Sequence, residues 1–157
     1  MSADPLAELQ DRIAISDVLH RYAAAIDGKD WELLRSCFTD DLEADFRSFG
    51  GLEVVRGADA WVAAIRSTIQ GMDATQHLTG NHTHRLDGDQ AKLSADVQAV
   101  HILANQSGDN EYTIGGSYDC DLVRTAEGWK IRRYVLKVRW HRGNRHIIRL
   151  ATRAAKG

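Results

Sequence analysis

Four residues combine a chemistry-bearing side chain with a telling position: Tyr22, Asp27, His77 and His101. Asp27 closes the apolar run Ala23–Ile26 and is followed by Gly28. A carboxylate at a helix C-terminus faces the negative end of the helix dipole, which is unfavourable unless another group compensates; a helix end left in water is the plain alternative. His101 sits in a stretch whose odd positions are Leu93, Ala95, Val97, Ala99 and Leu103, and whose even positions include Lys92, Ser94, Asp96 and Gln98. Strand alternation therefore turns His101 toward the apolar side. A buried imidazole needs a hydrogen-bond partner, and a carboxylate is the commonest useful one. His77 opens the preceding strand in TQHLTGNHTH. Alternation groups it with Thr79, Asn81 and Thr83, against Leu78, Gly80, His82 and His84, and leaves open which set faces inward. Tyr22 precedes Asp27 by five residues. That is about 500° around a helix, so the two lie in adjacent sectors, and core packing accounts for Tyr22 equally well.

Other clusters read more plainly. His82 and His84 alternate on one face and invite a metal, but a metal needs three or four converging ligands, and no HxxxH or cysteine cluster completes the set. They are expected to face solvent. In the stretch 112–124, Ile114, Tyr118 and Cys120 share one face; Ser117, Asp119 and Asp121 share the other, expected to be solvated. The basic residues Arg132, Arg133, Lys137, Arg139, Arg142, Arg145 and Arg149 could steer an anion, yet read first as a solvated sheet edge. The sequence has no GxSxG, no P-loop and no GxGxxG, so serine hydrolases, P-loop NTPases and Rossmann enzymes have no support.

The elements that must hold these residues follow from spacing. Pro5, the only proline, suits a first helical position with Asp4 as its cap. Leu6, Leu9, Ile13, Val18, Leu19, Tyr22 and Ile26 then recur near helical spacing, giving a helix over about 5–26. Asp30 caps a shorter helix with Trp31, Leu34 and Phe38 on one face. Residues 41–56 read as a hairpin turning at Gly50-Gly51, and 58–70 as a helix bearing Trp61, Ala64, Ile65 and Ile69. After Gly71 the pattern alternates: 75–86, 91–104, 112–124 and 129–141 read as strands joined by hairpin-type loops. The segment after Gly143 is basic, a tail or a short helix. Helices first and then strands make an α+β layout, a curved antiparallel sheet with helices on one face and a concave interior suited to a small ligand.

Composition agrees. The 157 residues make one domain with room for a core, 43% hydrophobic and 27% charged, the profile of a soluble globular protein. A net charge of −2 shows no polyanion-binding balance, so no nucleic-acid partner is expected. Cys37 and Cys120 can make at most one bridge, no secretory signal opens the chain, and no apolar run spans a bilayer; the expectation is a reduced cytoplasm and no membrane contact.

The order of elements, with Tyr22, Asp27, His77 and His101, resembles the SnoaL-like branch of the nuclear transport factor 2-like superfamily over about residues 5–142. Within the branch it is most similar to the group of scytalone dehydratase, hexachlorocyclohexane dehydrochlorinase and bile acid 7α-dehydratase. Asp27 in AAAIDGKDW and His77 in TQHLTGN match that group's Asp at the end of the first helix and His at the start of a central strand. His101 resembles a second inward histidine, Tyr22 a tyrosine five residues before the Asp, and GGSYDCDLVR with GWKI the late hairpin.

The resemblance implies a cone-shaped fold, with a curved antiparallel sheet around a long N-terminal helix. It also implies a cofactor-independent, metal-free lyase of the dehydratase type, removing water or HX from a small hydrophobic cyclic or aromatic molecule. His77 would be the base and Asp27 would fix its tautomer, with Tyr22 and His101 donating hydrogen bonds to substrate oxygen. A homo-oligomer, trimer or dimer, through the open sheet face is implied too. The same superfamily allows an isomerase or polyketide cyclase, or a non-catalytic ligand-binding protein or dioxygenase small subunit.

Overall fold

The computed structural model describes residues 5–51 and 53–155; the expected cap Asp4 lies outside them. Helix α1 spans Pro5–Gly28 and buries Ile15, Val18, Leu19, Tyr22, Ala25 and Ile26. Leu6, Leu9 and Ile13 share the helical spacing but are 53–61% exposed, so the buried stripe starts only at Ile15. The C-terminus is closed by two bonds typical of a helix stop: Asp30 N–H to Ala25 O and Lys29 N–H to Ile26 O, with Lys29 left-handed at φ 54°. The Lys29 ammonium then donates to the Met72 carbonyl at 2.8 Å. This ties the end of α1 to the chain just before the third strand.

Asp30 caps α2, Trp31–Ser36, by accepting the Leu33 N–H. Phe38 does not share the face of α2 as expected; it is the fully buried first residue of β1, Phe38–Asp45. The expected 41–56 hairpin survives only as two paired positions, Glu43 with Arg56 and Ala44 with Val55, because β2 is just Val55–Arg56. A 3-10 turn, Arg47–Phe49, and a left-handed Gly50 fill the space where a tight turn was expected. Helix α3, Ala58–Ile69, follows, and then β3 Ala74–Asp87, β4 Gln90–Ile102, β5 Glu111–Thr125 and β6 Gly128–Gly143. The chain closes with α4, His146–Ala154. That helix is no appended tail: Ile147 and Ala151 are fully buried in the main core.

The six strands form one sheet in the order β2-β1-β6-β5-β4-β3. It is mixed rather than purely antiparallel, because β1 runs parallel to β6. Parallel neighbours need a long crossover, and here the crossover comprises β2, α3 and the β3–β5 strands. Register shifts at Gly115/Gly116 and Asp121/Leu122 bend the sheet. A Cβ on Gly116 would collide with the Lys137 carbonyl, so the close approach at this bend requires glycine.

A further shift between Gly80 and Thr83 bears on function. Asn81 adopts φ 52°, and the extra residue resets the alternation of β3. Thr75, His77 and Thr79 face α1 before the bulge, and His82, His84 and Leu86 face the same side after it. His82 and His84 are therefore half-buried, not solvent-facing. On the outer face, Asp119 pairs with Lys137 at 2.6 Å and Asp121 with Lys92 at 2.7 Å, while Ser117 is buried rather than solvated. Both cysteines are free and buried. Among the described residues no helix is long and apolar enough to cross a membrane.

Candidate active site

Asp27 lies one residue before the end of α1, and the closure of that helix brings it against the start of β3. Its Oδ1 accepts the Thr75 hydroxyl at 2.9 Å and the His77 ring Nδ1 at 2.7 Å; its Oδ2 accepts the His77 backbone N–H at 2.8 Å. These donors are the compensation that a carboxylate at the negative end of a helix requires. Burial pushes the carboxyl pKa up, but the hydrogen bonds from the His77 ring and backbone and from Thr75 outweigh it, and the net shift is downward. An ionised Asp27 accepts only, so Nδ1 of His77 donates to it, and in the neutral imidazole that tautomer places the lone pair on Nε2. The His77 side chain is 6% exposed, and its ring lines a cavity between α1 and the sheet.

His101 faces inward on β4 as alternation predicts, with its ring centroid 5.8 Å from that of His77. Its partner is not a carboxylate. Nδ1 donates to the Tyr112 carbonyl at 3.1 Å. Burial, and then the repulsion the neighbouring His77 ring would exert on a second imidazolium, push its pKa down to about 4. His101 is thus neutral near pH 7 with the proton on Nδ1, so Nε2 accepts a hydrogen bond and cannot donate one. The donor role expected of His101 does not fit this tautomer.

Tyr22 is buried and meets the His77 ring edge-on at 6.4 Å. It packs with Tyr134 at 4.9 Å and Tyr118 at 5.8 Å. Burial raises the Tyr22 hydroxyl well above its ordinary value and lifts Tyr118 to about 12, so both stay protonated.

The cavity has a volume of about 240 Å³. His77, His101, Tyr22 and Tyr118 line its polar side. Phe46, Phe49, Trp61, Ile65 and Ile114 supply apolar wall, and the Phe46 and Trp61 rings lie 4.5 Å apart. Tyr118 was legible as an inward residue on its strand, though nothing marked it as a site residue. Phe46 and Phe49 sit in a segment without periodicity, where sequence carries no signal of direction. Among the described residues no group of three or more His, Cys, Asp or Glu could hold a metal ion.

A long helix lying in a curved mixed sheet, with a histidine-lined cavity between them, is the α+β fold seen in nuclear transport factor 2-like structures. Within that class the chain belongs to the SnoaL-like domain family, whose model matches residues 7–135. An uncharacterized protein of Mycobacterium tuberculosis (strain ATCC 25618 / H37Rv) is 33% identical over 133 residues, covering 83% of this chain and 86% of that protein. The Kfla4162 protein of Kribbella flavida superposes with a TM-score of 0.85 at 31% identity, covering 90% of this chain and 99% of that one. The hexachlorocyclohexane dehydrochlorinase LinA-type3 of Novosphingobium barchaimii LL02 gives a TM-score of 0.77, covering 90% and 95% of the two chains. At 17% identity that last likeness is one of fold.

Proposed function

We propose that this protein is a lyase of the dehydratase type that needs no cofactor and acts on a small cyclic or aromatic alcohol carrying a carbonyl group. The observation that supports this best is the Asp27–His77 pair at the cavity wall, with Nδ1 of His77 held at 2.7 Å and Nε2 left as the free base. His77 Nε2 removes the proton on the carbon next to the carbonyl. Asp27 holds the tautomer and stabilises the imidazolium that forms. Tyr22, protonated and buried, donates to the carbonyl oxygen as charge builds there, against an apolar wall that strengthens the bond. The C–O bond then breaks, the imidazolium returns its proton to the departing hydroxide as water, and a C=C bond remains. His101 accepts from a substrate hydroxyl and orients it.

Incubating the protein with a panel of cyclic β-hydroxy ketones, followed by mass spectrometry, tests this. Loss of water that depends on His77, and is abolished in His77→Gln, is the expected result. Solvent deuterium uptake without loss of water assigns an isomerase or cyclase instead. Turnover that survives His77→Gln overturns the mechanism.

A further inference from the structure

The seven basic residues clustered near the C-terminus fall into two groups. Arg132, Arg133, Lys137, Arg139 and Arg142 each lie within ion-pair distance of a carboxylate: Asp41 at 3.1 Å, Asp121 at 3.9 Å, Asp119 at 2.6 Å, Asp96 at 3.1 Å and Glu111 at 3.2 Å respectively. Arg145 and Arg149 form no ion pair among the described residues. Arg145 Nη2 donates to the Phe49 carbonyl at 2.7 Å, and Arg149 Nη2 donates to His146 Nδ1 at 2.8 Å. Neither acceptor carries negative charge, so both guanidinium charges stand uncompensated.

Their placement gives this meaning. Arg145, His146 and Arg149 line a surface groove, together with Phe49, Gly51, Thr68 and Ile148. Those last four residues also line the cavity that holds His77 and His101. The groove is therefore the outward continuation of the cavity, apolar within and cationic at its mouth. Glu53 is the one acidic side chain on the cavity wall among the described residues, and it is not paired with either arginine. Arg145 also serves the fold: its guanidinium lies over Gly50, where a Cβ would collide with it, and it ties down the Arg47–Phe49 turn. Arg149 has no such duty, and the planar fork of a guanidinium matches the two oxygens of an oxyacid.

We infer that the substrate is amphipathic: an anionic oxyacid group, carboxylate or phosphate, is held at the mouth by Arg149 and Arg145 while the ring it carries lies inside beside His77. This rests on the small-molecule reading above and names the charge its substrate must bear.

Isothermal titration of the full chain with naphthalene-2-acetate and with naphthalene-2-acetamide tests it, since the two differ in charge and hardly in size. The carboxylate is expected to bind about tenfold more tightly. The advantage shrinks as salt rises, disappears in Arg149→Gln and persists in His77→Gln. A parallel titration with 2-naphthyl phosphate separates the sources: tighter binding than the carboxylate assigns a phosphate, weaker binding a carboxylate. Equal affinity for acetate and acetamide in the wild-type chain overturns the anion inference alone. So does a preference that survives both Arg149→Gln and Arg145→Lys in chains of unchanged thermal stability. If no probe binds at all, the small-molecule reading falls together with the inference.

Discussion

The seam between α1 and β3 carries two histidine sites built from similar parts, and only one leaves a ring nitrogen free at a cavity wall. At the cavity end, His77 spends one ring nitrogen and its backbone N–H on Asp27 and keeps Nε2 free at the cavity wall. At the far end, the Ser16 hydroxyl lies 3.0 Å from His82 Nδ1 and 2.8 Å from His84 Nε2, and His82 Nε2 reaches the Thr79 hydroxyl at 3.2 Å. Both nitrogens of His82 are committed, no carboxylate binds either ring among the described residues, and neither ring lines the cavity that holds His77. Burial lowers the pKa of both rings, with no carboxylate to oppose it. A base needs a partner that takes one nitrogen and a void that leaves the other free; polar contacts alone lock an imidazole in place.

The largest expected effect breaks this contrast directly. Asp27→Asn keeps the shape of the pair but allows the wrong tautomer, and should lower kcat about 10³-fold with KM little changed, measured on the substrate the screen identifies. His82→Gln in the same assay should stay within about twofold. A comparable loss from both variants would mean that the seam acts as one structural unit and the cavity end has no privilege.

His101 gives the next largest effect, on stability. Its pKa is about 4 in the fold and near 6.5 in the unfolded chain. Between those values the unfolded chain binds more protons, so stability rises with pH. The full contribution is present above pH 6.5 and is lost as pH falls toward 4, a swing of up to about 3 kcal/mol. Urea unfolding across that range should show the slope in the wild type, and His101→Gln should make it shallower, leaving the part that the lowered rings of His82 and His84 contribute.

How much of this was legible varies with the physics of each part. Helix α1, the four long strands and the inward direction of His101 follow from periodicity, because burial on one face imposes it. The facing of His77 was undetermined, and that of His82 and His84 was misjudged, for one reason. A strand with a bulge has no single parity, and TGNH does not announce that Asn81 goes left-handed. Asp27 was conspicuous as an ill-placed carboxylate, but its partners came from a strand about fifty residues away (Thr75 and His77), and only the fold joins them. The two-residue β2 and the parallel β1–β6 pairing depend on long-range closure that no local pattern encodes.

The bulge can be tested as the device that sets the two sites on one face. Asn81 is left-handed and donates to Asp96 Oδ2 at 2.8 Å. Asn81→Val forces a β-branched residue into that conformation and should cost about 2 kcal/mol in denaturant unfolding, whereas Asn81→Gly, which tolerates it, should cost well under half as much. Equal losses would assign the cost to the Asp96 bond rather than to the backbone.

Ser16→Ala should have the smallest effect, and it isolates the far site. The substitution removes one hydroxyl shared by two rings and touches nothing in the cavity. A hydrogen bond of this kind contributes about 1 kcal/mol net. His82 and His84 are half-buried, so water can reach the vacated nitrogens and the loss should be about 1 kcal/mol or less, seen as a small fall in Tm. Activity should not change, because Asp27, Thr75 and His77 keep every bond described. A drop in kcat at unchanged stability would show that the two sites communicate along β3, and the contrast between a working pair and a locked one would have to be redrawn as a single network.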